Sequence, residues 1–387
     1  MKRFSQFTYA VMLTSTCSLA HVRAEDGDSN AGDGGFGQVD VSDNLSQFIR
    51  SNASHYWSYM KSRVSTQNQE GLKPYLGFQG VLAGDPHMGN FSIIPVRADG
   101  ANRAAELAFL NVDFDDAGEG PFVLDFIRYE VAVKAAFDEN IKRKDLEDAY
   151  IKGLDGQQTA PPTQVQQLLN MAMKDYRKMV DDYVDKKTSK KGFKLKDGDL
   201  DAYNGKVELS SIRALFSKDE TVVDVAIRPV ERGGSVEALR IWVLIEDRDH
   251  NRRIMELKGH IKSALNLYQK QPDWQTWLEE VRQAFWPAIE GSSYDLVKLE
   301  TGELFWLREK RVSLIDVPYS SSKNEKLIYA AGLAAFDANL LGLAHGRQKD
   351  GKKYLVVINQ DLGAFHGATE AIVNEYIEAA KKAYKAK

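Results

Sequence analysis

Apolar residues recur at three- and four-residue spacing from Asn44 to about Arg63, at Leu45, Phe48, Ile49, Tyr56, Trp57 and Met60, which predicts an amphipathic helix. Leu76 to Leu82 then reads as a short strand, Phe91 to Val96 as a second and Glu106 to Val112 as a third. The turn-rich stretch Arg97 to Arg103 makes a hairpin of the last two. Phe122 to about Phe137 is helical in pattern, and residues 139 to 190 are mainly so, including Val165 to Val184. The pattern changes near residue 221. Thr221 to Arg228, Leu239 to Glu246 and Arg253 to Leu257 are β-rich and divided by turn residues, which predicts a small antiparallel sheet. Helix signals return at His260 to Lys270 and Trp274 to Phe285. Strands follow at Ser293 to Leu299 and Leu304 to Arg308, then a helix at Asn324 to His345, a strand at Lys353 to Ile358 and a helix at Glu370 to Ala386. The order of these elements is that of an α+β protein.

Two segments stand ahead of this pattern. Lys2 and Arg3, an apolar run from Phe7 to Ala20, and Val22-Arg23-Ala24 before Glu25 have the layout of a cleaved export signal over 1–24. The expected location is therefore the periplasm or the exterior. Residues 25–43, rich in Gly, Asp and Ser, read as a flexible linker. No later stretch has 18 apolar residues in succession, so no further membrane span is expected.

Composition narrows the chemistry. The single cysteine, Cys17, lies inside the signal, so a mature chain has no thiol nucleophile, disulfide or cysteine zinc site. Loss of Lys2, Arg3 and Arg23 takes the formal charge from −4 to −7, which argues against a nucleic-acid partner. The basic run Lys186 to Lys196 is expected to be a solvated helix end or loop. The tryptophans, Trp242, Trp274, Trp277 and Trp306 among them, are expected in the core. No serine lies in a G-x-S-x-G elbow.

One constellation carries chemistry. Gly84-Asp85-Pro86-His87-Met88-Gly89-Asn90 sets a carboxylate five residues before a carboxamide, and the hairpin that follows returns the chain to Asp113-Phe114-Asp115-Asp116. Phosphoryl transfer needs such a set: one carboxylate to orient the attacking hydroxyl, and an amide oxygen with a second carboxylate to hold Mg²⁺ against phosphate oxygens. Asp85 is the candidate base, and Asn90, Asp113 and Asp115 are the candidate metal ligands. His87 either binds substrate or orders the loop. Asp115 and Asp116 either add a metal contact or are solvated turn acids. Further on, Gly233, Gly234 and Ser235 form a turn between two strands, where a phosphate-covering loop would lie. Lys258 follows on the next strand but one, as a candidate phosphate anchor. Its acidic partner is not evident, Glu279 and Glu280 being two possibilities. His345 and His366 are expected to cap helices or face solvent.

These motifs, with Gly120, Pro121, Asp125 and Arg128 just beyond, resemble kinase-like folds of the aminoglycoside phosphotransferase and choline kinase kind. More closely, they resemble the bacterial family known as domain of unknown function 2252, which pairs G-D-x-H-x-x-N-F with N-D-F-D…G-P…D…R. The asparagine of the second motif stands here at Asn111, with Val112 between it and Asp113. The resemblance implies a bilobal protein-kinase-like fold in which the small antiparallel-sheet lobe follows the catalytic loop, a circular permutation. The lobes would be a catalytic segment over 44–215, a nucleotide-gripping lobe over 216–320 and a helical remainder over 321–387. It implies a Mg²⁺-dependent phosphotransferase using ATP or another nucleotide on an unknown small-molecule or protein hydroxyl. Two other readings stand beside it: a non-catalytic binding protein on a degenerate kinase-like scaffold, and a metal-dependent phosphohydrolase.

Overall fold

A computed structural model describes residues 41–65, 70–98, 106–195, 199–229, 238–260, 262–272, 274–286, 289–290, 294–310, 314–319 and 324–385. The export signal, most of the linker and the Gly233-Gly234-Ser235 turn lie outside them.

The structure is mixed α and β with antiparallel sheets, as expected. Helices Val41–Arg50 and Ala53–Ser65 open it. The break between them comes where Asn52 bonds back through its side chain to the Phe48 carbonyl, ending the first helix. The strand expected over Leu76 to Leu82 is shorter, Gln79–Leu82, with a helical turn Lys73–Leu76 before it. It pairs with Gly118–Pro121. The hairpin Phe91–Ala98 with Glu106–Asn111 forms as predicted, in antiparallel register Phe91 to Asn111. Helix Phe122–Phe137 follows directly and is buried along nearly its whole length.

The second sheet has six antiparallel strands in the order Tyr294–Lys298, Leu304–Glu309, Arg252–Gly259, Arg240–Glu246, Thr221–Ile227, Asp201–Ala202. Strand alternation gives it two different faces. Ile241, Val243, Met255, Leu257 and Phe305 fill one core. On the other face Trp242, Leu244 and Ile254 pack with Val184 of helix Met173–Lys187, leaving Glu256 and Lys258 farther along that face.

Three expectations are corrected. His260 to Lys270 holds only a 3-10 turn, Ala264–Leu267. Lys353 to Ile358 lies in a helix, Gly351–Gln360, where Tyr354, Leu355 and Ile358 make one buried stripe and Val356 is exposed. The final helix begins at Leu362, well before Glu370. The basic run ends helix Met173–Lys187 and enters a tight hairpin, Thr188–Ser189 with Gly192–Phe193, with Lys190, Lys191 and Lys194 exposed.

The large body is organised on helix Asn324–Gly346. This helix is long and apolar enough to cross a membrane, yet it is mostly buried in the protein. It lies flush against helix Arg143–Leu154 because glycines face each other. A Cβ at Gly342 would stand 2.1 Å from the Tyr150 carbonyl oxygen, and one at Gly153 would stand 2.2 Å from that of Asn339. Gly342→Ala must therefore push the helices apart, and we expect a loss of about 1–3 kcal/mol. Urea unfolding of the variant measures it; an unchanged midpoint would refute the close contact.

Candidate functional site

The catalytic-loop candidate is built from backbone inward. Strand Gln79–Leu82 ends at Ala83-Gly84, and these two amides donate 2.9 Å hydrogen bonds to Oδ2 and Oδ1 of Asp125. Asp125 sits in the first turn of helix Phe122–Phe137, wholly buried, and His345 Nε2 contacts its Oδ2 at 3.2 Å. His345 Nδ1 in turn meets the Tyr150 hydroxyl at 2.8 Å. His345 is thus an interior bridge, a correction to its expected place at a helix cap or in solvent. A buried carboxylate satisfied by two amides and an imidazole holds its donors in one geometry, because each lost bond would leave a buried polar group unpaired.

Gly84 adopts φ +79°, and a Cβ there would fall 1.7 Å from the carbonyl oxygen of Asp116. Only glycine fits this turn. The indole of buried Trp57 donates to the Gly84 carbonyl at 2.7 Å.

Asp85 follows. Its Oδ1 is gripped by Arg128 through Nε at 2.9 Å and a terminal nitrogen at 2.7 Å, both on the one oxygen, a charge-assisted contact. Arg128 is itself wholly buried and donates to the Ile49 carbonyl at 2.6 Å. Oδ2 of Asp85 lies 3.9 Å from His87 Nε2. His87 accepts the Gly89 amide at its Nδ1, 3.1 Å away, which places its ring proton on Nε2. Its ring therefore orders the loop. Burial drives its pKa down to about 4 despite the opposing pull of Asp85.

The hairpin register explains how Asn90 and Asp113 meet. Phe91 pairs with Asn111, and the Val112 amide donates to the Asn90 carbonyl at 2.8 Å, so Asn90 stands opposite Val112, the residue just before Asp113. Asn90 commits its Nδ2 to the Asp85 carbonyl at 2.9 Å, which leaves its Oδ1 for a ligand. Burial would raise the Asp113 pKa, but Lys258, Arg308 and Arg240 outweigh it and hold Asp113 below the usual carboxylate range.

Lys258 comes from the six-stranded sheet and reaches this loop. Its ammonium forms an ion pair with Asp115 and lies 3.9 Å from Oδ2 of Asp113. Both Lys258 and Asp115 are buried, which excludes Asp115 as a solvated turn acid. Glu279 and Glu280, considered as partners of the lysine, face solvent. Asp116 serves the joint between loop and sheet: its Oδ1 accepts the Ala264 amide at 2.8 Å and its carbonyl accepts the Ser263 hydroxyl at 2.8 Å. Burial, with Asp85 nearby, pushes the Asp116 pKa up to about 7. His366, the other histidine expected at a cap or in solvent, is partly buried with Nδ1 2.5 Å from Glu147.

Among the described residues no three His, Cys, Asp or Glu side chains form a ready cation cage. Asn90 and Asp113, with Asp115 beside them, are instead the sparse donor set with which proteins usually hold Mg²⁺ jointly with phosphates and water. The free Oδ1 of Asn90 and the ionised Asp113 fit that role. Structure adds residues that sequence reasoning missed: Trp57, Tyr150 and His345, whose parts depend on contacts across long stretches of chain. Comparison with family models, with curated proteins and with solved structures gives no match.

Two outcomes follow from this geometry. Asp125→Asn can accept through one oxygen only and should lose roughly 1–3 kcal/mol in chemical denaturation; a change within the scatter of exposed Asp→Asn substitutions would rule out the anchoring role. His87 should stay neutral by NMR until the pH nears 4. Its folded pKa lies below the ordinary 6.5, so its contribution to stability is complete above pH 6.5 and is lost as the pH falls toward 4. A His87 titration midpoint near 6.5 would overturn its burial in the loop.

Proposed function

We propose that the chain is a Mg²⁺-dependent phosphotransferase on a circularly permuted, bilobal protein-kinase-like fold, acting on a hydroxyl-bearing acceptor. The observation that carries this reading is the approach of Lys258, from a sheet that follows the catalytic loop in sequence, to Asp113 and Asp115 in the loop after the hairpin. A lysine from one lobe facing acidic residues of the other is the arrangement phosphoryl transfer requires.

The roles divide as follows. Arg128 holds Oδ1 of Asp85, so Oδ2 remains to accept the proton of an acceptor hydroxyl or to aim that hydroxyl. Asn90 and Asp113 supply the oxygens for the cation. Mg²⁺ bound there would neutralise charge on the phosphates of the donor. Lys258 supports the donor phosphates and keeps Asp113 ionised. His87 stays neutral and holds the loop. Little bond-making falls to the protein, so positioning and charge account for the rate.

The test is thermal unfolding of the full chain with Mg²⁺, with and without ATP, ADP and GTP, beside Asp113→Ala. A nucleotide well above its dissociation constant should stabilise the wild type by roughly 2–4 kcal/mol, only with Mg²⁺, and should leave Asp113→Ala unmoved. Absence of any nucleotide effect would sink the reading.

A further inference from the structure

Helix Val41–Arg50 ends beside the catalytic loop. Arg128, which holds Oδ1 of Asp85, also donates to the carbonyl of Ile49, so the last turn of the helix is fixed against that carboxylate. Arg50 is the next residue. Its guanidinium carbon stands 3.9 Å from the centre of the Tyr319 ring. That ring also stacks with Phe137, 6.1 Å away at an interplanar angle of 22°. The Tyr319 hydroxyl meets the catalytic loop: a Cβ at Gly89 would stand 3.1 Å from the hydroxyl oxygen and 3.1 Å from Cε1 of His87. Gly89 itself is exposed, and Arg50, Asp85, His87 and Tyr319 are half-buried. Solvent therefore reaches the loop where the His87 ring and Tyr319 flank Gly89.

What this corner lacks is an acceptor. Among the described residues Arg50 makes no ion pair, and its Nε is buried without a hydrogen bond. The Tyr319 hydroxyl is buried and completes no hydrogen bond either; the groups close to it, the Arg50 guanidinium and the Gly89 amide, are themselves donors. The Gly89 amide is already committed to His87 Nδ1. The nearby carboxyl of Asp337 is wholly buried in helix Asn324–Gly346, and neither of its oxygens is hydrogen-bonded. Arg50 and Tyr319 thus set two donors side by side with no anion between them. Buried donors without acceptors are costly. A guanidinium stacked on an aromatic ring keeps its edge free for the oxygens of a carboxylate or phosphate.

We propose that Arg50 and Tyr319 bind an oxyanion group of the acceptor, a carboxylate or a phosphate ester, and so set the acceptor hydroxyl at Oδ2 of Asp85. The acceptor is then a small hydroxylated anion. This rests on the phosphotransferase reading for the role of Asp85, and it names the substrate class which that reading leaves open. The subsite uses neither the proposed metal ligands nor Lys258, so the anion should bind without Mg²⁺.

Calorimetric titration of the full chain with glycerate, with glycerol 3-phosphate and with glycerol, in the absence of Mg²⁺ and nucleotide, tests it. The variants are Arg50→Gln and Tyr319→Phe. The second keeps the ring against Arg50 and removes only the hydroxyl, and circular dichroism checks the folding of both. At least one of the two anions should bind, and glycerol should not. Arg50→Gln should weaken the anion about tenfold and Tyr319→Phe roughly threefold. The anion held more tightly identifies the oxyanion as carboxylate or phosphate. Affinity unchanged in Arg50→Gln, equal binding of glycerol, or no binding of either anion would overturn the subsite. Should Arg50→Gln fail to fold, Tyr319→Phe decides, and an unchanged affinity there overturns it. The phosphotransferase reading is judged apart from this, by the effect of nucleotide on thermal unfolding of the wild type. Anion binding weakened by Arg50→Gln with no nucleotide effect would keep the anion subsite and remove that reading. A nucleotide effect without anion binding would do the reverse.

Discussion

The carboxylate of Asp125 is the constraint on which the site depends. Two consecutive amides at the end of a strand would be unpaired donors in a closed interior, and Asp125 accepts both. His345 and Tyr150 continue the chain of contacts into two other helices. Because every member is buried, displacement of one breaks bonds that water cannot replace. Asp85, one residue beyond the anchored amides, inherits this rigidity, and Arg128 three residues after Asp125 on the same helix locks its carboxylate. One helical turn thus sets both the path of the loop and the direction of its functional group.

The sheet is joined to this rigid base by polar ties as well as by apolar packing through Trp306 and Leu296. Lys258 meets Asp115 and Asp113, and Ser263 and Ala264 meet Asp116. All the acidic groups concerned belong to one short loop at the end of the hairpin. Its charges therefore serve two ends: contact with the sheet, and the proposed hold on cation and phosphate. The opposed shifts of Asp113 and Asp116 express that division, one lowered by cations of the sheet, the other raised by burial and a carboxylate neighbour.

Local pattern made some of this legible. Alternating apolar residues marked the hairpin and the core of the later sheet, since those positions face one way along a strand. The acidic and amide residues at the hairpin ends were also visible, because their spacing is local. The run Lys353 to Ile358 misled, since Leu355, Val356, Val357 and Ile358 favour a strand by composition; burial of one helical stripe decided otherwise. His345 and the lysine–aspartate pair could not be read, because their partners lie 220 and 143 residues away and only tertiary packing brings them together.

Among the described residues the six-stranded sheet is open at both ends of its strand order, so its margins matter for how the protein behaves among its own copies. One margin is the two-residue strand Asp201–Ala202, too short to template another chain. The other, Tyr294–Lys298, carries Asp295, paired with Arg282, and ends in Lys298. Charge and brevity at open edges disfavour strand addition from a neighbouring molecule. A sheet exposed in this way can stay unpaired at the concentrations at which flat, apolar edges would seed aggregates.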